Sequence, residues 1–224
     1  MSDLKQAIKQ NYIKCAKEPS YFINQYCTIQ HPQRGKIKFK LYPFQYDVLD
    51  EYQNNDYNVI LKSRQLGIST LSAAYSLWMM LFQNDKNILV IATSKDTAKN
   101  LITKVRIMYE ALPAWLKTAI VENNKLSLIF KNGSQIKAIA SNESAGRSEA
   151  LSLLILDEAA FIEKIDVIWT AAQQTLATGG RCLAISTPNG VGNWFHKTWI
   201  DATDGLNKFN TVKLHWSAHP ERGQ

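Results

Sequence analysis

The segment Leu151 to Leu156, LSLLIL, runs straight into Asp157 and Glu158, and it restricts the fold more than any other stretch of the chain. An apolar run without alternation needs cover on both faces, which a strand with one wet face does not give it. RCLAIS at 181–186 has the same character. Two such runs call for a parallel sheet with helices on each side. The rest of the sequence supplies them in alternation. A helix from Pro43 leads to the apolar run NVILK, and the helical pattern LSAAYSLWMMLF follows. NILVIAT is then followed by the amphipathic stretch DTAKNLITKVRIMYEAL, closed by Pro113. The expectation is an α/β fold with a mainly parallel central sheet flanked by helices. KLSLIF and QIKAIA, joined by Lys131-Asn132-Gly133-Ser134, add a β-hairpin insertion with an Asn-Gly turn.

At 224 residues the chain has room for one substantial domain and a short extension. Its 46% hydrophobic and 20% charged residues are ordinary for a globular protein. No stretch is apolar and long enough for a bilayer, and MSDLKQAIKQ lacks the apolar core of a secretory signal, so a cytoplasmic protein with no membrane role is expected. Cys15, Cys27 and Cys182 are too few and too scattered for a disulfide framework. Cys27 and His31 have the spacing to begin a zinc site, but no second ligand pair follows. Charge is uneven. The first 40 residues carry eight lysines and arginines against Asp3 and Glu18, which is +6 of the formal +7. Residues 1–40 read as a helical basic arm or lid, ending in the strand-like KIKFK, on a near-neutral body spanning 41–224. Such an arm attracts a polyanion such as DNA, and a solvated helix face would have the same composition.

In open α/β sheets, ligands sit beyond the carboxyl ends of the strands. The loop Lys62-Ser63-Arg64-Gln65-Leu66-Gly67-Ile68-Ser69, continuing to Thr70, follows one strand and opens a helix. That is the setting of a phosphate-binding loop, in which backbone amides hold phosphates and a hydroxyl holds magnesium. Gly67 and Ser69 fit the standard pattern, whereas Lys62 stands where glycine is expected and Ile68 where lysine is. Lys62 or Arg64 is then left to supply the cation. Taken alone, the loop is also open to a plain strand-to-helix turn. Asp157 and Glu158 close a buried strand, the placement of a magnesium-supporting acid and an acid that polarises water. Arg147 lies ten residues before Asp157 and is open to two readings, an arginine finger or a surface arginine. Ser186-Thr187-Pro188-Asn189-Gly190 is either a γ-phosphate sensor or a simple turn.

Taken in order, LYPFQ at 41–45, SRQLG at 63–67, IATS at 91–94, ILDEAAF at 155–161 and STPNG at 186–190 resemble the large terminase subunits of tailed phages, from about Tyr21 onward. The resemblance implies a RecA-like P-loop ATPase of the additional-strand glutamate type, fuelled by ATP and Mg2+. It would drive double-stranded DNA into a procapsid as a homo-oligomeric ring, together with a portal protein and a small terminase subunit. Carried over by position, Gln45 would read adenine beside Tyr42 or Phe44. Lys62, Ser63, Arg64, Gln65, Leu66, Gly67, Ile68, Ser69 and Thr70 would form the nucleotide loop, with Lys62 as a displaced loop lysine. Ser69 and Asp157 would hold magnesium. Glu158 would be the catalytic base, with Arg147 and Arg64 acting on the transition state. Ser186, Thr187 and Asn189 would couple hydrolysis to movement. The family's nuclease domain is expected to lie outside this chain. A helicase-like translocase and a non-hydrolysing nucleotide- or DNA-binding scaffold are the alternatives.

Overall fold

The structure, a computed structural model, describes residues 2–31, 33–141 and 150–220. Its frame is an eight-stranded sheet whose strands lie, from one edge, as β10 (Asn210–Leu214), β3 (Tyr57–Lys62), β9 (Arg181–Ser186), β8 (Leu153–Asp157), β4 (Asn87–Ala92), β7 (Gln135–Ala140), β6 (Ser127–Phe130) and β5 (Ile120–Asn123). From β10 to β7 every neighbouring pair is parallel, and β6 and β5 extend the far edge in antiparallel fashion. The hairpin read from the sequence thus belongs to the main sheet, with β7 as its last parallel strand.

Period-2 geometry shows directly in the core. In β4, Ile88, Val90 and Ala92 point into one hydrophobic cluster, while Leu89 and Ile91 point into the other. The first cluster is roofed by α3 (Pro43–Asn54), α4 (Ile68–Phe82) and α5 (Lys95–Glu110). The second is roofed by α6 (Ile165–Thr175) and α7 (Trp194–Thr203). β8 has all five residues buried. Its unbroken apolar run is the chemical consequence of having helices on both sides.

The N-terminal segment forms α1 (Ser2–Lys17), α2 (Pro19–Tyr26) and an antiparallel ribbon of β1 (Thr28–His31) and β2 (Gly35–Lys38). It is packed onto the body. Cys15, Phe22, Ile23 and Cys27 are fully buried in the same cluster as α4, Phe22 meets Phe82 edge-on at 5.3 Å, and Trp78 Nε1 donates to the Cys15 carbonyl at 2.8 Å. All three cysteines are free and buried, and burial pushes the Cys15 thiol up to about 11. His31 Nδ1 accepts from the amides of Gln33 and Arg34 at the ribbon's turn. No helix among the described residues is long and apolar enough to cross a membrane.

Candidate nucleotide site

β3, β9, β8 and β4 are adjacent, and their carboxyl ends come level: Leu61 pairs with Ser186, Ile185 with Asp157, and Asp157 with Ala92. This register gathers residues that are far apart in sequence along one edge. β9 lies between β3, which feeds the loop, and β8, which carries the acids.

The loop from Lys62 to α4 is shaped by two residues with positive φ, Gln65 (φ +62°) and Gly67 (φ +73°). Ser63 N donates to the Leu214 carbonyl at 3.0 Å, so the edge strand β10 fixes the loop's start. At its far end Gly67 caps α4, accepting from the amides of Thr70 and Leu71. The helix N-terminus that follows is an anion-attracting element. Gln45, buried at 1% exposure, braces the loop from α3. Its Oε1 accepts from Tyr42 N at 3.1 Å and its Nε2 donates to the Leu66 carbonyl at 3.0 Å. A Cβ at position 67 would lie 2.8 Å from that same Nε2. The glutamine expected from sequence to read a base is therefore engaged with the loop itself. Tyr42 stacks with Phe44, and the His219 ring tilts against Tyr42 at 4.7 Å.

Ile68 opens α4 with its side chain in the core at 2% exposure. The position where the standard loop has lysine is here a packing position. The lysine that stands beside the acidic pair is instead Lys62, at the end of β3. Its Nζ meets Glu158 Oε1 at 2.5 Å, with the lysine side chain 8% exposed and the glutamate 29%. Arg64 is exposed on the loop.

Glu158 leaves β8 in a left-handed conformation, φ +55° and ψ +49°. Its second oxygen, Oε2, accepts from both the amide and the hydroxyl of Thr187 at 3.1 Å. Burial acts to raise the Glu158 pKa, but the hydrogen bonds from Lys62 and Thr187 and the Lys62 charge outweigh it and hold the pKa below the usual range. Asp157 behaves oppositely. Burial pushes it up, the nearby Glu158 adds to this, and the Ser69 hydrogen bond and the charges of Lys104 and Lys62 only partly compensate. Ser69 Oγ donates to Asp157 Oδ1 at 3.0 Å.

STPNG grips the turn after β8. Ser186 Oγ accepts from Ala160 N at 3.1 Å, Asn189 Nδ2 donates to Ala160 O at 2.9 Å, and Thr187 takes the Glu158 carboxylate. All three members of that motif touch the segment carrying the second acid. Arg147 lies outside the described residues.

Two cavities flank Lys62. One, of about 640 Å³, is lined by Arg64, Gln65, Thr93, Glu158, Phe161 and Thr187. The other, of about 260 Å³, is lined by residues 65–70 and by Lys104 of α5. Sequence reasoning missed Thr93, Phe161 and Lys104 as site residues. Thr93 directly follows β4 inside the quoted stretch IATS, and Phe161 lies four residues past β8 inside ILDEAAF, so both sit in segments already singled out. Lys104 carries no such signal.

Residues 59–219 match the family described as terminase large subunit, T4likevirus-type, N-terminal. Among curated proteins the chain is similar to the Mu-like prophage FluMu protein gp28 of Haemophilus influenzae, with 24% identity over 160 residues, covering 66% of this chain and 31% of that protein. The chain therefore spans about a third of the length of that relative. Among solved structures it resembles the ATPase domain of the Thermus phage P74-26 large terminase, with a TM-score of 0.64, 22% identity and coverage of 83% of this chain and 85% of that one. It also resembles the HK97 bacteriophage large terminase, with a TM-score of 0.69, 22% identity and coverage of 90% and 43%. A third is the large terminase of a thermophilic bacteriophage in complex with ADP, with a TM-score of 0.60, 16% identity and coverage of 77% and 44%. With the family matched over most of its length and the same α/β frame in its structural neighbours, the chain belongs to the terminase large subunit family, in its N-terminal domain.

Proposed function

We propose that this chain binds and hydrolyses ATP at the carboxyl edge of β3, β9 and β8, and that hydrolysis drives double-stranded DNA into a procapsid. The observation that supports it most is the hydrogen-bonded line Lys62–Glu158–Thr187 beside the Ser69–Asp157 pair, at the mouth of a loop that opens a helix. The large terminase of the thermophilic bacteriophage was solved with ADP and with ATP-γ-S.

Each group then has a task. Loop amides and the α4 N-terminus receive phosphate oxygens. Ser69 and Asp157 offer a hydroxyl and a carboxylate, the hard oxygen donors that Mg2+ takes. Because burial holds the Asp157 pKa up, its charged form gains from an adjacent cation, so the pair fits such an ion. A bound Mg2+ would neutralise charge developing on the phosphates. Glu158, ionised at neutral pH and fixed by Thr187, accepts a hydrogen bond from the attacking water and orients it. Lys62 has one ammonium to share between Glu158 and a phosphate, so nucleotide binding competes for it and frees Oε1 toward water. Ser186 and Asn189, both bonded to Ala160, relay displacement of Glu158 into β9 and the segment leading to α7. Arg147 and Arg64 would stabilise transition-state charge, Arg147 in cis or from a neighbouring subunit of a ring. Portal protein, small terminase subunit and DNA are the expected partners.

The test is ATP turnover by the 224-residue chain and by Glu158→Gln, with and without assembled procapsids. The amide keeps the shape but cannot act as base, and a fall of about 10²-fold or more with ATP binding retained is expected. Equal turnover by the variant would overturn the role of Glu158. Binding without any turnover by the wild type, procapsids included, would favour the scaffold.

A further inference from the structure

Lys104 is the feature of this site that neither the loop pattern nor the acidic pair accounts for. It lies in the middle of α5, three residues after buried Leu101 and four before buried Met108, so helical spacing sets it beside the helix's apolar stripe. α5 packs against α4, the helix opened by the phosphate loop. Instead of leaving for solvent, the Lys104 side chain lines the 260 Å³ cavity together with Lys62, Gly67, Ser69 and Thr70. Among the described residues it donates no hydrogen bond. Burial lowers its pKa, the attraction of Asp157 opposes this, and the repulsion of Lys62 adds to it. A cation beside an apolar stripe costs stability unless something repays its desolvation.

The charge balance of the loop indicates what that is. Ile68 is a core residue, so position 68 offers no ammonium to a phosphate chain. Lys62 is tied to Glu158. A polyphosphate seated at the α4 N-terminus would then meet the helix end, one shared lysine and an ammonium arriving from α5. We propose that Lys104 is a phosphate-contacting residue of the nucleotide site, delivering from a neighbouring helix a second positive charge to the cavity at the α4 N-terminus, which Arg64, lining the other cavity, does not reach. The inference rests on the nucleotide reading above and assigns a further ligand contact within it.

Fluorescent ATP and ADP are titrated, with Mg2+, into the wild-type chain and into Lys104→Met, Lys104→Gln and Lys104→Arg, and each variant's melting temperature is recorded. Met suits the stripe and Gln keeps polarity, so a folding failure of one leaves the other as probe. Loss of a charge-assisted contact should weaken binding of both nucleotides by roughly tenfold or more in Met and Gln. Arg, which keeps the charge, should recover most of it, and melting should be unchanged or raised in Met. Wild-type affinity in both Met and Gln would overturn the assignment alone. So would a lowered melting temperature without an affinity change, since that is the pattern of a counter-ion for Asp157. A wild-type chain that binds no ATP would remove the nucleotide reading and this assignment together.

Discussion

Glu158 holds a backbone conformation that costs a non-glycine residue about 1–3 kcal/mol, and the surrounding bonds show how it is held there. Lys62 takes one carboxylate oxygen, Thr187 takes the other twice, and Ser186 and Asn189 pin both backbone groups of Ala160 two residues on. Such over-determination keeps the carboxylate aimed at the cavity before any ligand arrives, and in the proposed reaction the Thr187 and Ala160 bonds would keep it there once Lys62 turns to a phosphate. The Thr187 hydroxyl is the part of this grip that can be removed alone, because the amide donor remains. Thr187→Val preserves volume and β-branching. It is expected to lower kcat by about tenfold with KM little changed, since the lost bond would position the proposed base and not hold nucleotide. Steady-state ATPase kinetics with melting curves check this, and a change confined to KM would contradict it.

At the scale of elements, α4 is held at both ends by segments distant in sequence. Gly67 and the brace from Gln45 set its start. At its finish the Asn-Gly turn of the β6–β7 hairpin acts as a C-cap, with Asn132 Nδ2 donating to the carbonyls of Met80 at 2.8 Å and Gln83 at 3.2 Å. Asn132 does not have positive φ, so its task lies in its side chain, which also accepts from Ser134 N at 3.1 Å; the left-handed residue of the turn is Gly133, φ +80°. Asn132→Ala should therefore cost about 1–2 kcal/mol, measured as a shift in urea midpoint, by removing the donor to the Met80 carbonyl and the acceptor for Ser134 N, while Ser134 Oγ still serves the Gln83 carbonyl and the hairpin's glycine is intact. These elements also show what could be read in advance. Strand–helix alternation, the hairpin and the acids at the end of β8 were legible because each is a local pattern of period, turn chemistry or strand end. Strand order was not, since insertion of β9 between β3 and β8 is decided by packing of helices on two faces. The β1 half of the N-terminal ribbon, the edge strands β5 and β10, and α7 were likewise unread. They are half-exposed or short, and mixed composition gives weak periodicity. At the site the loop, both acids and STPNG were visible as motifs. Lys104 was not, because only tertiary contact between α5 and α4 turns an ordinary helix lysine toward the loop.

At the scale of the whole molecule, the basic N-terminal segment presents two faces of different chemistry. The inner face is structural. Phe22 and Ile23 are fully buried against the C-terminal half of α4, and Cys15 accepts the Trp78 indole bond. The outer face carries Lys5, Lys9, Lys14 and Lys17, all exposed, with Lys14 resting over the Tyr21 ring at 4.2 Å. If the segment were only a solvated cover, charge on that face would be interchangeable. If it also meets DNA, charge there carries affinity that salt should screen. We expect Phe22→Ala to destabilise the chain by about 3–5 kcal/mol in urea unfolding, because it hollows the contact under α4. Reversing Lys5 and Lys9 to Glu should leave stability within about 0.5 kcal/mol. The double reversal should nevertheless weaken binding of a double-stranded DNA fragment and flatten the dependence of log affinity on log salt by one to two contacts' worth, about 0.9 per phosphate. Unchanged affinity and slope, with stability also unchanged, would make the outer face a solvated surface and assign the arm wholly to buttressing α4, the helix whose other end follows the proposed phosphate loop.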